Sequence, residues 1–398
     1  MRVGIFSESY PPIVNGVSTS VCTLRSELEH AGHTVYVFTS RAAVSRAYVD
    51  EHPGVYRYPS VNALIEPQYQ LPIPFSQRIK ETIPKLGLDI IHSQSPFFLG
   101  LIARHVARQL GLPLVSTNHT QYTEYAHYFP AAPPRLTRAF LVRWMRGYYN
   151  GCDQVLVPSE LTQRQLLAHG VRSPITVMPT GIPLPPSDLP APDEVRRRWK
   201  IPPEARVLLY VGRLAPEKNL SMLLAAFAEI LKFCPDVFLI LAGSGMGDAA
   251  TRQEAQRLGI WERTVFTGFL ERSQLDPLYA AADVFLFPSK TETQGLAVGE
   301  VMACGTPCVV VNAGGAPESV RDGIDGFLVD DDPALMARQA IVLLDNPVLR
   351  ETMSRLARTH ADQVTPEKVA GRVIALYEEL VEAGRKKNQA GLAAEAAV

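Results

Sequence analysis

Asp283-Val284-Phe285-Leu286-Phe287-Pro288-Ser289-Lys290-Thr291-Glu292-Thr293-Gln294-Gly295-Leu296-Ala297-Val298-Gly299-Glu300-Val301-Met302-Ala303-Cys304-Gly305-Thr306-Pro307 is the stretch around which the chain is organised. Its start, through Phe287, carries an apolar run short enough for a buried strand. A polar loop follows. A run of small and apolar residues then reads as a helix stopped by Gly305 and Pro307. Glu292 therefore stands in a loop at the carboxyl end of a strand, and Glu300 comes eight residues later on the helix. Backbone N–H groups from Thr293 to Leu296 lie near the helix N-terminus, which favours an anion. Loops at the carboxyl ends of parallel strands are where doubly wound sheets bind ligands. Carboxylates accept from hydroxyl groups, so the stretch points to a phosphorylated sugar.

The same grammar extends in both directions. Upstream, Val207–Val211, Val237–Ala242 and Val265–Gly268 read as strands, with helices over Leu220–Phe233 and near Ser273–Ala282. Downstream, Pro307–Val311 and Phe327–Val329 read as strands, before helices at roughly 333–345, 348–362 and 366–386. The first half repeats the pattern, from the strand Val3–Phe6 through Val35–Thr39, Asp89–His92 and Pro113–Thr117 to Asp153–Pro158 and Ile175–Met178. Residues 41–85 are irregular apart from a short strand near Val55–Tyr58. Strands alternating with helices in both halves predict an α/β chain with two doubly wound parallel sheets. At 398 residues, two domains are the default. The run Pro179-Thr180-Gly181-Ile182-Pro183-Leu184-Pro185-Pro186 is the best linker candidate. The expected domains are residues 1–183 and 184–365, with a C-terminal helix at about 366–387 crossing back to the first.

Composition narrows the class. An apolar fraction of 46% and a charged fraction of 20% suit a soluble globular protein. The net charge of −1 hides an asymmetry: residues 1–185 hold 16 Lys and Arg against 11 Asp and Glu, and the remainder 23 against 29. A basic first half suits an anionic surface, or is chance scatter. The five cysteines form no C-x-x-C pair, which suits reduced thiols in the cytoplasm. The N-terminal apolar run is too short for a signal peptide, and no run approaches the ~18 residues that span a bilayer. Membrane contact would be peripheral. Arg135 to Tyr149 reads as a basic amphipathic helix, with Arg135, Arg138, Arg143 and Arg146 on one face and Phe140, Leu141, Trp144, Met145 and Tyr148 on the other. It is either an interfacial helix that meets anionic lipid or a surface helix packed on its own domain.

Two cations join the opening stretch. Arg213 leaves the strand Val207–Val211, and Lys218 follows five residues on, just before a helix. Together they would neutralise a diphosphate; the plainer alternative makes Lys218 a solvated surface residue. Gly16 lies where phosphate-binding turns sit, or is an ordinary turn glycine. His119 ends the strand Pro113–Thr117 beside the aromatic and polar segment Gln121–Phe129. That is a site position in such sheets, although a lone His often only completes local hydrogen bonds. Asp330-Asp331-Asp332 contains the D-x-D pattern of metal-dependent transferases. With Pro333 following, Asp332 reads better as a helix N-cap, and no metal site is expected.

Gly212-Arg213-x4-Lys218-Asn219 followed by Glu292-x7-Glu300 resembles the retaining glycosyltransferases with the GT-B fold, often called family 4, over nearly the whole chain. The resemblance implies two Rossmann-like domains facing a cleft. It implies that Arg213 and Lys218 bind the diphosphate of a nucleotide sugar, that Glu300 accepts from the ribose and Glu292 from the transferred sugar. It further implies that Thr293, Gln294, Gly295 and Leu296 cradle phosphate and sugar, that the base sits by Gly268-Phe269-Leu270, that Gly16 touches the diphosphate, and that His119 stands beside the anomeric carbon and the acceptor. Many members have Gly-Gly where this chain has Asn15-Gly16. Catalysis without metal or other cofactor is expected.

Within that family, Lys290–Leu296 and His119–Tyr128 are similar to bacterial diacylglycerol glucosyltransferases. The expectation is hexosyl transfer from a nucleotide sugar, UDP-glucose, to a lipid acceptor, diacylglycerol. Tyr122, Tyr125 and His127 would lie on the acceptor side. The enzyme would be cytoplasmic and peripheral on the inner face of the cell membrane, with no nucleic-acid partner. Phosphatidylinositol with mannosyl transfer, a soluble acceptor, a UDP-sugar 2-epimerase and a non-enzymatic sugar-nucleotide sensor are the alternatives.

Overall fold

The computed structural model describes residues 1–41, 50, 52–62, 70–73, 76–123 and 133–396. The chain divides into two compact units, Met1–Gly181 with Pro366–Val398, and Ile182–Thr365.

Unit 1 starts β1 (Arg2–Ser7), α1 (Gly16–His30), β2 (Thr34–Ser40), β3 (Val55–Tyr58). A small antiparallel ribbon of β4 (Ser60–Asn62) and β5 (Gln70–Pro72) and the short α2 (Gln77–Thr82) follow. Then come β6 (Ile90–Ser93), α3 (Phe98–Leu110), β7 (Leu114–Thr117), α4 (Pro134–Tyr149), β8 (Gln154–Val157), α5 (Glu160–Ala168) and β9 (Ile175–Val177). The main sheet runs β3-β2-β1-β6-β7-β8-β9 and every pair is parallel. Side chains alternate between two buried faces, as parallel sheets require. Val3, Ile5, Val37 and Ile90 pack with Val21 and Leu28 of α1 on one face. Phe6, Phe38 and Ile91 pack with Leu99 and Ala103 of α3 and Met145 and Tyr148 of α4 on the other.

Unit 2 holds α6 (Pro192–Arg198), β10 (Arg206–Val211), α7 (Leu220–Phe233), β11 (Val237–Ala242), α8 (Asp248–Arg257), β12 (Thr264–Gly268) and α9 (Arg272–Ala281). It continues with β13 (Val284–Phe287), α10 (Leu296–Ala303), β14 (Cys308–Val311), β15 (Gly326–Val329), α11 (Pro333–Asp345) and α12 (Pro347–Ala361). Its sheet, β12-β11-β10-β13-β14-β15, is also wholly parallel. The last helix, α13 (Pro366–Ala396), belongs to unit 1, where Val369, Val373, Tyr377 and Val381 join the α1 face. In each sheet the first strand sits in the middle and the chain winds outward both ways. That makes the gaps outside β1/β6 and β10/β13 the switch points where such sheets bind ligands.

Three local differences from the sequence reading have simple causes. Beyond the Pro-rich run the chain enters a helix, because Pro192 occupies the first turn of α6, where proline is tolerated. Gly16 is the first residue of α1, and Asn15 is its N-cap, its Oδ1 accepting from Ser18 N–H at 2.9 Å. The departure from Gly-Gly therefore gives α1 a side-chain cap. On α4, Leu141, Met145 and Tyr148 are buried, but Phe140, read on the same apolar face, is 60% exposed, and Leu136 one turn before it is 64% exposed. No helix among the described residues is long and apolar enough to cross a membrane.

Candidate active site

In unit 2, β10 carries the chain to Gly212 and Arg213 at the switch point. Tyr210, buried in the sheet, donates its hydroxyl to Arg213 C=O at 3.1 Å and fixes the turn. The neighbouring loop after β11 presses against it: Leu214 N–H donates to Ser244 C=O at 3.1 Å and Gly247 N–H to Leu214 C=O at 2.7 Å. Gly243 has φ +146°, and a Cβ there would lie 1.9 Å from Gly212 O, so this approach requires glycine. Arg213 Nη2 donates to Glu217 Oε1 at 2.9 Å and its side chain remains 47% exposed.

A short 3-10 turn, Pro216–Lys218, then turns Lys218 inward. Lys218 is buried and its Nζ donates to Glu292 Oε1 at 2.6 Å. The solvated-surface alternative for Lys218 is thus excluded. Two residues 74 positions apart meet where β10 and β13 end side by side. Asn219 follows in the left-handed region, φ +58°, and its Nδ2 donates to Asp331 Oδ1 at 2.7 Å. Asp331 also pairs with Lys290. These two partners hold its carboxyl below the usual carboxylate range. Asp332 Oδ1 accepts from Ala334 N–H at 2.8 Å as the N-cap of α11. The D-x-D motif therefore ties down the Lys290 loop and starts a helix.

The loop after β13 passes Glu292, whose C=O accepts from Gly315 N–H at 2.7 Å, and enters α10 through Gly295. Gly295 has φ +77° and a Cβ would meet Ala316 Cβ at 2.7 Å. No side chain caps this end of α10, so its leading N–H groups face outward from the helix with their dipole. Gln294 is buried beside them. Further along α10, Glu300 is gripped twice: Tyr279 donates its hydroxyl to Oε2 at 2.8 Å, and Arg272 pairs with Oε1. Gly268, with φ +71°, ends β12, where Phe269 is exposed and Leu270 buried. Unit 2 thus brings Arg213, Lys218, Glu292 to Leu296, Glu300 and Gly268 to Leu270 onto the carboxyl edge of one sheet or the helix that follows it.

In unit 1, His119 follows β7, and its Nε2 lies 2.7 Å from Gln94 Oε1, so Nε2 carries the proton. Burial lowers its pKa to about 4. One strand over, His92 is held by Thr117 Oγ1 at Nε2 (2.7 Å) and by the Tyr377 hydroxyl of α13 at Nδ1 (2.6 Å). Burial, with His119 adding to it, lowers the His92 pKa to about 3. Tyr122 meets Phe97 edge-on at 4.9 Å. Gly16 is exposed at the start of α1. Tyr125 and His127 lie outside the described residues.

Sequence reasoning missed the supporting groups: Glu217 behind Arg213, Asp331 behind Asn219 and Lys290, Arg272 and Tyr279 behind Glu300, and Gln94 behind His119. Only Gln94 left a signal, as the polar residue that ends the strand next to the one before His119. The others depend on tertiary neighbours that no spacing reveals.

Residues 192–360 match the family model described as glycosyl transferases group 1, and residues 14–184 match that of glycosyltransferase family 4. The chain is 36% identical over 315 residues to an α-monoglucosyldiacylglycerol synthase of Streptococcus pneumoniae, covering 78% of this chain and 70% of that protein. It is 29% identical over 402 residues to a protein of the same name from Acholeplasma laidlawii, covering 97% and 99%. Among solved structures, sucrose-phosphate synthase from Thermosynechococcus elongatus superposes with a TM-score of 0.77 at 23% identity, covering 96% of this chain and 99% of that one, which is a likeness of fold. With two Rossmann-like sheets, each wound about its own switch point, and a family motif set gathered at the second of them, the chain belongs to the family 4 glycosyltransferases and is a glycosyl-transferring enzyme of the GT-B fold.

Proposed function

We propose that the enzyme transfers glucose from UDP-glucose to diacylglycerol, retaining the anomeric configuration and using no metal. The observation that carries the donor half is the buried Lys218–Glu292 pair beside Arg213 at the switch point of unit 2. On donor binding, Lys218 and Arg213 neutralise the diphosphate, with the N-terminus of α10 and the Thr293–Leu296 backbone adding fixed dipoles. Glu292 then accepts from hydroxyls of the glucose and Glu300 from those of the ribose, while the base rests by Gly268–Leu270. Gly16, at the start of α1, would add the diphosphate contact that the family resemblance implies. The glucose C1–O bond to the diphosphate breaks as a C1–O bond to the acceptor forms, and the acceptor hydroxyl proton leaves with the diphosphate. As the family resemblance implies, His119 would act at C1 and Tyr122 on the acceptor.

The acceptor half rests on the similarity to α-monoglucosyldiacylglycerol synthases and on α4. Leu136 and Phe140 are exposed there, near Arg135, Arg143 and Arg146, which are exposed too. Apolar side chains flanked by arginines suit the surface of an anionic bilayer. The enzyme is then a peripheral protein that takes its lipid from the cytoplasmic leaflet. The test is a paired screen of labelled UDP-glucose and GDP-mannose against diacylglycerol and phosphatidylinositol in mixed micelles with excess EDTA. Lipid-soluble label should arise from UDP-glucose and diacylglycerol. Label arising only from GDP-mannose with phosphatidylinositol would select the mannosyl alternative, and an altered UDP-sugar without acceptor would select an epimerase.

A further inference from the structure

Unit 1 contains a cavity at the carboxyl ends of its strands, beneath α1 and α13. His92, Gln94, His119 and Thr180 are among its polar lining, and Leu156 and Val373 among its apolar lining. Gln94 is only 3% exposed. Its Oε1 is engaged by His119 Nε2, but its own Nε2 has no hydrogen-bond partner. A buried amide donor left without an acceptor is costly, and native proteins keep few of them. The lining is also without charge: among the described residues that form it there is no Asp, Glu, Lys or Arg. Among the described residues, His92 is engaged by Thr117 and Tyr377 and His119 by Gln94, all of them uncharged. An anion placed here would be desolvated without a counter-charge.

We propose that this cavity is a subsite for a neutral, hydroxyl-bearing headgroup, in which Gln94 Nε2 donates to an oxygen of the acceptor and the uncharged wall rejects phosphate. The inference rests on the reading of unit 1 as the acceptor-binding part and narrows it: a glycerol headgroup is accepted and a phosphate-bearing one is not. Gln94 is a specificity-determining residue in this scheme. His119 is then oriented by the same amide that reads the acceptor.

The experiment is calorimetric titration of the full chain with two soluble probes, monobutyrylglycerol and glycerol 3-phosphate. Two variants accompany the parent. Gln94→Met keeps length and loses the donor, and Ala370→Leu fills the cavity from α13, with circular dichroism to establish that each is folded. Monobutyrylglycerol should bind the parent saturably and at least about tenfold more weakly to either folded variant, with glycerol 3-phosphate giving no saturable heat. No binding to the parent, undiminished binding to folded Gln94→Met, or tighter binding of glycerol 3-phosphate would overturn the proposal. Failure of glucose transfer to diacylglycerol alongside Gln94-dependent binding would sink the proposed reaction and leave the subsite. Transfer with an acceptor KM indifferent to Gln94 would do the reverse.

Discussion

At the scale of single residues, the two buried histidines of unit 1 make a definite statement about pH. The His92 and His119 pKa values are lowered to about 3 and about 4 from 6.5. The folded state thus refuses protons that the unfolded chain takes up. Stability is fully present above about pH 6.5 and is lost as pH falls from there towards the folded values. One such group costs about 1.4 kcal/mol per pH unit inside that window, or about 2 kcal/mol at pH 5. Asp325 in unit 2, pushed up by burial but held low overall by His360 and Arg321, acts only below its ordinary value of 3.8. Replacing His92 by Gln should therefore flatten the fall of Tm between pH 7 and 5, and an unchanged slope would show that His92 does not carry it. On the donor side, Glu300→Ala should raise the KM for the nucleotide sugar by about tenfold or more, the scale of a lost charged hydrogen bond. Arg213→Ala should instead act mainly on kcat, and a donor KM unmoved by Glu300→Ala would remove the ribose contact. Arg213, Lys218, Glu292 and Glu300 were legible because their spacing follows from the strand–loop–helix unit that presents them. Arg272 and Asp331 were not, since each answers a charge presented by a different loop.

At the scale of elements, the strands were legible from short apolar runs and the helices from their caps and stops: Gly305 ends α10 and Asp332 with Pro333 starts α11. What escaped were features set by packing. Periodicity placed Phe140 with Trp144 on one apolar face of α4, yet only the part of that face lying over Pro96 and Phe97, in the loop after β6, is covered. Trp144 donates Nε1–H to Pro96 C=O at 2.9 Å, while Phe140 and Leu136 stay exposed. The double variant Leu136→Glu/Phe140→Glu removes two apolar anchors of about 1.5–3 kcal/mol each when buried. It should cut co-sedimentation with phosphatidylglycerol vesicles by more than tenfold, and leave Tm and turnover of a soluble short-chain acceptor unchanged. Undiminished sedimentation would assign α4 no membrane role.

At the scale of the whole molecule, both sheets could be read as doubly wound from alternation alone, because strand, loop and helix recur with the same punctuation on either side of the proline-rich run. The return of α13 to unit 1 was visible as a final helix, but its chemical purpose was not. Tyr377 reaches His92 across 285 positions of sequence, a contact that no local pattern announces. The proposed reaction, from nucleotide sugar to lipid acceptor, can be followed directly. The enzyme would be incubated with UDP-[1-13C]glucose and diacylglycerol micelles, and the labelled anomeric carbon observed by NMR. The account predicts that the UDP-glucose signal is replaced by one α-linked glucosyl-diacylglycerol signal as UDP is released in equal amount. A β-linked product, or folded enzyme that leaves diacylglycerol unglucosylated, would contradict it.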